Sequence, residues 1–138
     1  METYGKYFID GETKSVDGKH RLLKLLEAVG TKGDAFDFHK LLWQRWDGDT
    51  WVEVLSIPRQ AFQGDHPLRR WVSRVHSIDP ESGRAIISVG EGDVPEGNKC
   101  IHYYYTWREW DLRGNKEIAV LKLCKDPFDP FESEADGS

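Results

Sequence analysis

Three stretches of this chain share one pattern: an alternating run, a short turn signal, and a second alternating run. "FHKLLWQRW" faces "WVEVLSI" across Asp47-Gly48-Asp49-Thr50. "RWVSRVHSI" faces "RAIISV" across Asp79-Pro80-Glu81-Ser82-Gly83, and "CIHYYYTWREW" faces "EIAVLKLC" across Arg113-Gly114-Asn115. Apolar residues recurring at every second position mark a strand with one face buried. The turns carry the residues their geometry demands. A Gly48-Asp49 turn suits a primed hairpin and sets Trp46 opposite Trp51. Pro80 presets φ for a type I turn, and Gly83 accepts a positive φ. Hairpins in sequence build an antiparallel meander, because parallel strands need long crossovers.

The expected fold is therefore mainly β, of the α+β kind. It is a single domain with an antiparallel meander of six to seven strands, forming a strongly curved sheet or partly closed barrel. One helix is expected near residues 18–29. Asp17 is placed to cap it, Gly30 to end it, and Leu22, Leu25, Leu26 and Val29 form its apolar stripe. Against this, Lys19, His20 and Arg21 would oppose the helix dipole, so a strand is the rival reading. "KYFI" at 6–9 reads as a short first strand ended by Asp10-Gly11. "PRQAFQGDHPL" reads as an irregular crossover and "GEGDVPEGNK" as a glycine-rich acidic loop. The domain spans 4–126. The tail 127–138 is expected to dock through Phe128, with a disordered end.

The length of 138 residues suits one domain with a real core. Hydrophobic residues make up 38% of the chain and aromatics 12%, which excludes a disordered class. A net charge of −5 argues against a general nucleic-acid binder. No apolar run is long enough to cross a membrane, and "METYGKYFIDGETK" lacks a signal pattern, so a cytoplasmic protein is expected. Two cysteines are too few for a disulfide framework.

Alternation sorts side chains by face. In the third hairpin Ile101, Tyr103, Tyr105, Trp107, Ala119, Leu121 and Leu123 are expected in the core. The second hairpin sets Trp71, Val75, Ala85, Ile87 and Val89 against Arg74, His76, Ile78, Ile86 and Ser88. The first is apolar on both faces, as a pair covered on both sides would be. The opposite faces combine into a mixed surface carrying Arg74, His76, His102, Tyr104 and Arg108. Polar groups set among aromatics suit a ligand cavity, and arginines favour an anionic ligand. The competing reading is a solvated outer face.

Metal and cofactor signals are weak, and neither is expected. Cys100 and His102 share a face, but Cys124 lies roughly 13 Å away along the strand. No GxSxG, GxGxxG or GxxxxGK[ST] occurs. "HPLRRWVSRVH" sets Arg69, Arg70 and Arg74 around Trp71 as the chain's basic–aromatic cluster, which in an acidic domain reads as balancing nearby carboxylates. The doubled Asp-Pro-Phe at 126–131 resembles the short docking motifs of endocytic adaptor ligands, over six residues. Its stiff prolines suit extended chain, and its two rings suit capping of the core. Three functional readings follow. The first is a domain binding a small, anionic organic molecule. The second is a protein-interaction or inhibitor module, or a homo-oligomer subunit, using Trp46, Trp51, Phe128 and Phe131. The third is a small acid–base enzyme using a strand histidine.

Overall fold

A computed structural model describes residues 2–29, 35–92 and 103–125, with the side chains of Tyr103 and of 123–125 excepted. Nine strands and one short helix are seen among them. β1 (Thr3–Tyr4), β2 (Tyr7–Lys14), β3 (His20–Val29), β4 (Ala35–Trp46) and β5 (Trp51–Pro58) form one sheet in chain order. The helix α1 (Arg59–Gln63) follows. β6 (Arg69–Asp79), β7 (Arg84–Gly92), β8 (Tyr103–Asp111) and β9 (Lys116–Lys125) form a second sheet, again in chain order. Every pairing is antiparallel. The result is mostly β, with one sheet strongly curled into a half-barrel. The three expected hairpins form, and Trp46 does pair with Trp51.

The helix expected at 18–29 is instead strand β3, and the helix lies in the expected crossover. The reason is visible in the burial. Leu22 and Trp43 turn one way into the main core. Leu23 and Leu42 turn the other way, into a smaller cluster with Leu25, Tyr7 and Ile9. "LLKLLEAV" is thus a strand apolar on both faces, which over a short window mimics a helical stripe. Asp17 caps a turn, not a helix. Its carboxylate accepts from Lys19 N at 2.9 Å, and Gly18 takes φ 72°. The strand expected at 6–9 is β2, and it is longer than expected because Asp10 sits in a bulge instead of ending it.

Bulges also decide the faces of the second sheet. β6 carries two, at Ser73 and His76, so Val72, Val75 and Ile78 all reach the core at a spacing of three. Val72 and Ile78 therefore join Val75 inside, while Trp71 is half-buried and packs against the same core. In β8 the buried residues are Thr106 and Trp110, while Trp107 is exposed, and Leu121 of β9 is exposed too. Among the described side chains the face expectation thus fails at Trp107 and Leu121, while Ile118 and Val120 on the other face of β9 are exposed as well. Bulges at Ile118 and Leu121 put β9 out of step with simple alternation. β4 is interior as expected, but its partner β5 is an edge strand with exposed Val52 and Val54.

One core fills the space between the sheets: Leu22, Leu41, Trp43 and Ile57 from the first, and Val72, Ile87, Val89 and Trp110 from the second. Phe62 of α1 plugs it, edge-on to Phe38 at 5.8 Å and 5.0 Å from Trp110. The sheets meet along a seam where β6 lies against β2 and β3. No backbone ladder joins them there among the described residues. Side chains do so instead: Thr13 Oγ1 donates to Val75 O at 2.9 Å, and Lys24 Nζ to Ser73 O at 2.8 Å.

A part-buried carbonyl that loses its donor keeps its desolvation cost. Thr13→Val is therefore expected to lower unfolding free energy by about 1–2 kcal/mol, with Thr13→Ser restoring most of it. Urea denaturation of the pair checks this; equal midpoints for the valine variant and the parent would contradict it.

Candidate functional site

Among the described residues, the members of the expected mixed surface fall on two faces. Arg74 and His76 stand on the side of β6 away from the core, and His76 is itself a bulge residue. Arg108 lies on the core side of β8, opposite Ile87, and Tyr104 is opposite Glu91. His102, Phe128 and Phe131 fall outside the described residues. Strict alternation had merged residues that the bulges separate.

On the outer face the His76 imidazole stacks on Trp107, with ring centroids 3.8 Å apart and planes 27° apart. Its Nε2 shares a hydrogen bond of 2.5 Å with the buried Ser88 hydroxyl. Burial first, and the Arg74 charge second, hold its pKa below the ordinary 6.5. At the β4–β5 tip Trp46 meets Trp51 edge-on at 5.4 Å, and the Arg21 guanidinium lies 4.3 Å from the Trp51 ring centroid. Arg21 is held there by Gln44 Oε1 at 2.7 Å and Glu12 Oε2 at 2.6 Å.

On the inner side Arg108 belongs to a charge network. The Glu91 carboxylate accepts from Arg108 at 3.1 Å and ion-pairs with Arg70 at 3.0 Å, and His66 Nε2 lies 3.7 Å from it. Glu117 closes on Arg108 from β9. Burial and the neighbouring Arg70 charge lower the Arg108 pKa, against the pull of Glu91. Arg70 Nε, Arg108 Nε and Trp110 Nε1 are buried with no hydrogen-bond partner among the described residues.

Arg70 also faces a cleft of about 540 Å³ beside α1. Arg59, Arg69, Arg70, Gln60, Gln63 and Asp37 line it. Three elements bring them together. Asp37 comes from β4, Arg59 opens α1, and Arg69 and Arg70 open β6. Gln63 at the end of α1 fixes the connection by donating to His66 O at 2.7 Å and Leu68 O at 2.6 Å, and by accepting from Arg70 N at 2.8 Å. The Asp37 carboxylate draws Arg59 to 3.1 Å and pairs with Arg69 as well. Three arginines thus converge on one cleft where Asp37 is the one carboxylate in the lining. Planar guanidiniums of this kind bind carboxylates and phosphates in two-pronged fashion. The sequence pointed to Arg69 and Arg70 through the basic–aromatic run, but nothing in it singled out Arg59 or Asp37. Among the described residues no group of His, Cys, Asp and Glu is arranged to hold a metal ion.

The depressed His76 pKa has a definite sign. Below 6.5 the unfolded chain takes up a proton that the folded His76 resists, so stability falls as pH drops from there toward the folded value. His76→Gln should lessen the loss of urea midpoint between about pH 7.5 and about pH 5.5, and parallel losses in both proteins would contradict this.

A scan against protein-family models, a search of curated proteins and a search of solved structures return no match for this chain.

Proposed function

We propose that this chain is a binding domain for a small anionic organic ligand, held in the cleft beside α1. The observation that carries the reading is the convergence of Arg59, Arg69 and Arg70 on one cleft against a single lining carboxylate, in a chain of net charge −5. A local excess of cations on an acidic protein concentrates small anions while general polyanion binding stays weak. The cleft's volume of about 540 Å³ falls in the range of small-molecule sites. This keeps the ligand class expected from sequence and moves the site from the outer strand residues to the seam. Arg108 contributes indirectly, by sharing Glu91 with Arg70.

A second reading rests on a different surface. Val52 and Val54 are exposed on β5, the outermost strand of the first sheet among the described residues, and Trp46 is exposed at the end of β4 beside it. Exposed aromatic residues on an edge suit a protein partner or a second copy of the chain.

Thermal shift and titration calorimetry with inorganic phosphate and succinate, at constant ionic strength, test the first reading. The parent protein should show a raised unfolding midpoint with at least one of the two anions. Arg69→Ala should weaken binding by about 1.5–3 kcal/mol, the worth of a charged hydrogen-bonded contact. Arg84→Ala, which removes an ion pair elsewhere on the second sheet, should leave binding unchanged. No response to either anion beyond that to chloride would contradict the proposal.

A further inference from the structure

The arginine-lined cleft does not stand alone. Asp37 and Arg69 also line a second cleft of about 320 Å³, so the two clefts adjoin at this ion pair. The character of the second cleft is different. Its apolar lining includes Phe36, Phe38 and Trp71. Phe38 belongs to the core, but Phe36 is 42% exposed, its ring edge-on to Phe8 at 4.8 Å. Trp71 is half-buried, and the Arg69 guanidinium lies 5.8 Å from its ring centroid. Arg69 therefore touches both environments, an anion cleft on one side and an indole on the other.

Charge separates the two clefts as clearly. In the second, Lys24 is consumed by Asp10 at 2.7 Å and by Ser73 O at 2.8 Å, and Arg69 by Asp37. Its two cations meet two carboxylates, Asp10 and Asp37. Further along the seam a third cleft has Lys24 and Arg74 against Asp10 and Glu12, again balanced. By lining residues alone, the cationic excess falls at the cleft of Arg59, Arg69 and Arg70, where Asp37 pairs with Arg59 and Arg69 and Glu91 reaches Arg70 from outside the lining. A polyanion would need that excess to continue along the seam, and it does not. One anionic head beside one aromatic slot matches a compact amphipathic ligand.

We infer that the ligand is an aryl anion, an aromatic ring bearing a single carboxylate or phosphate. The head group sits on Arg59, Arg69 and Arg70, and the ring lies in the adjoining cleft against Phe36 and Trp71. The inference rests on the anion-binding reading and adds the ring. An aromatic contact of this kind strengthens binding by about tenfold over the head group alone.

Calorimetric titration with matched probes reads the two parts separately: inorganic phosphate against phenyl phosphate, and acetate against benzoate. Each aryl compound is expected to bind about tenfold more tightly than its bare head group. Phe36→Ala should remove most of that preference; Trp71→Ala, checked for folding by circular dichroism, should do the same, with the bare anions reading the head-group affinity of each variant. Equal affinities for aryl and bare anions in the parent protein would overturn the inference and leave the anion site standing. Binding by none of the four would overturn the anion reading itself. A preference that survives in both variants would place the ring elsewhere, and phenol binding as tightly as phenyl phosphate would remove the role of the head group; either overturns the inference.

Discussion

Everything in this structure depends on how the two sheets are held together along β6. That strand pairs with β7 on one side, and its other side has no strand partner among the described residues. The carbonyls of Ser73 and Val75 would be left partly buried and unpaired there. Lys24 and Thr13 supply the missing donors from β3 and β2. Such side-chain bonds fasten an edge without extending the sheet, so the strands beyond remain free to diverge. The divergence leaves a core thick enough for Trp43, Phe62 and Trp110, and it leaves clefts along the seam. The same residue often serves both purposes. Lys24 fastens Ser73 and also lines the second cleft, and Asp37 ties β4 to α1 and β6 while lining two clefts.

The hairpins were legible in the sequence because turn chemistry and alternation agree over each of them. Asp47 shows why: its carboxylate accepts from Asp49 N and Thr50 N, both at 2.9 Å, so the turn is encoded in the turn residues themselves. The faces were less legible. A bulge adds one residue and exchanges inside for outside beyond it, and the bulges at Ser73 and His76 leave no mark in residue type. Glycine gives a partial signal. A Cβ on Gly90 would come within 2.5 Å of the Trp71 ring, so the indole is laid across the strand at a position that only glycine can vacate. The stretch 20–29 failed for another reason. A strand buried on both faces has no alternation to show, and its leucines fall into a helical spacing by default. The opposition of its basic residues to a helix dipole was the correct warning.

The candidate site was legible only in part. Arg69 and Arg70 stood out beside Trp71 as a basic–aromatic run, and balancing by nearby carboxylates is what is found: Asp37 takes Arg69, and Glu91 takes Arg70. Arg59 and Asp37 are separated by 22 positions and meet only because β4 and α1 converge at the seam. No periodicity or spacing encodes such a meeting. Arg108 shows the opposite case. Its residue type suggested an anion site, but it spends its charge on Glu91 and Glu117 behind the cleft.

The anion cleft thus has a simple electrostatic basis: Arg59, Arg69 and Arg70 line it against one lining carboxylate, Asp37, while Glu91 pairs Arg70 from outside the lining. The most direct test is a crystal structure with 4-bromophenyl phosphate, whose bromine is located by its anomalous signal. The account predicts the phosphate within hydrogen-bond reach of Arg59 and Arg69, with the bromine peak between Phe36 and Trp71. A phosphate bound instead on the outer face at Arg74 and His76, with the cleft beside α1 unoccupied, would contradict it.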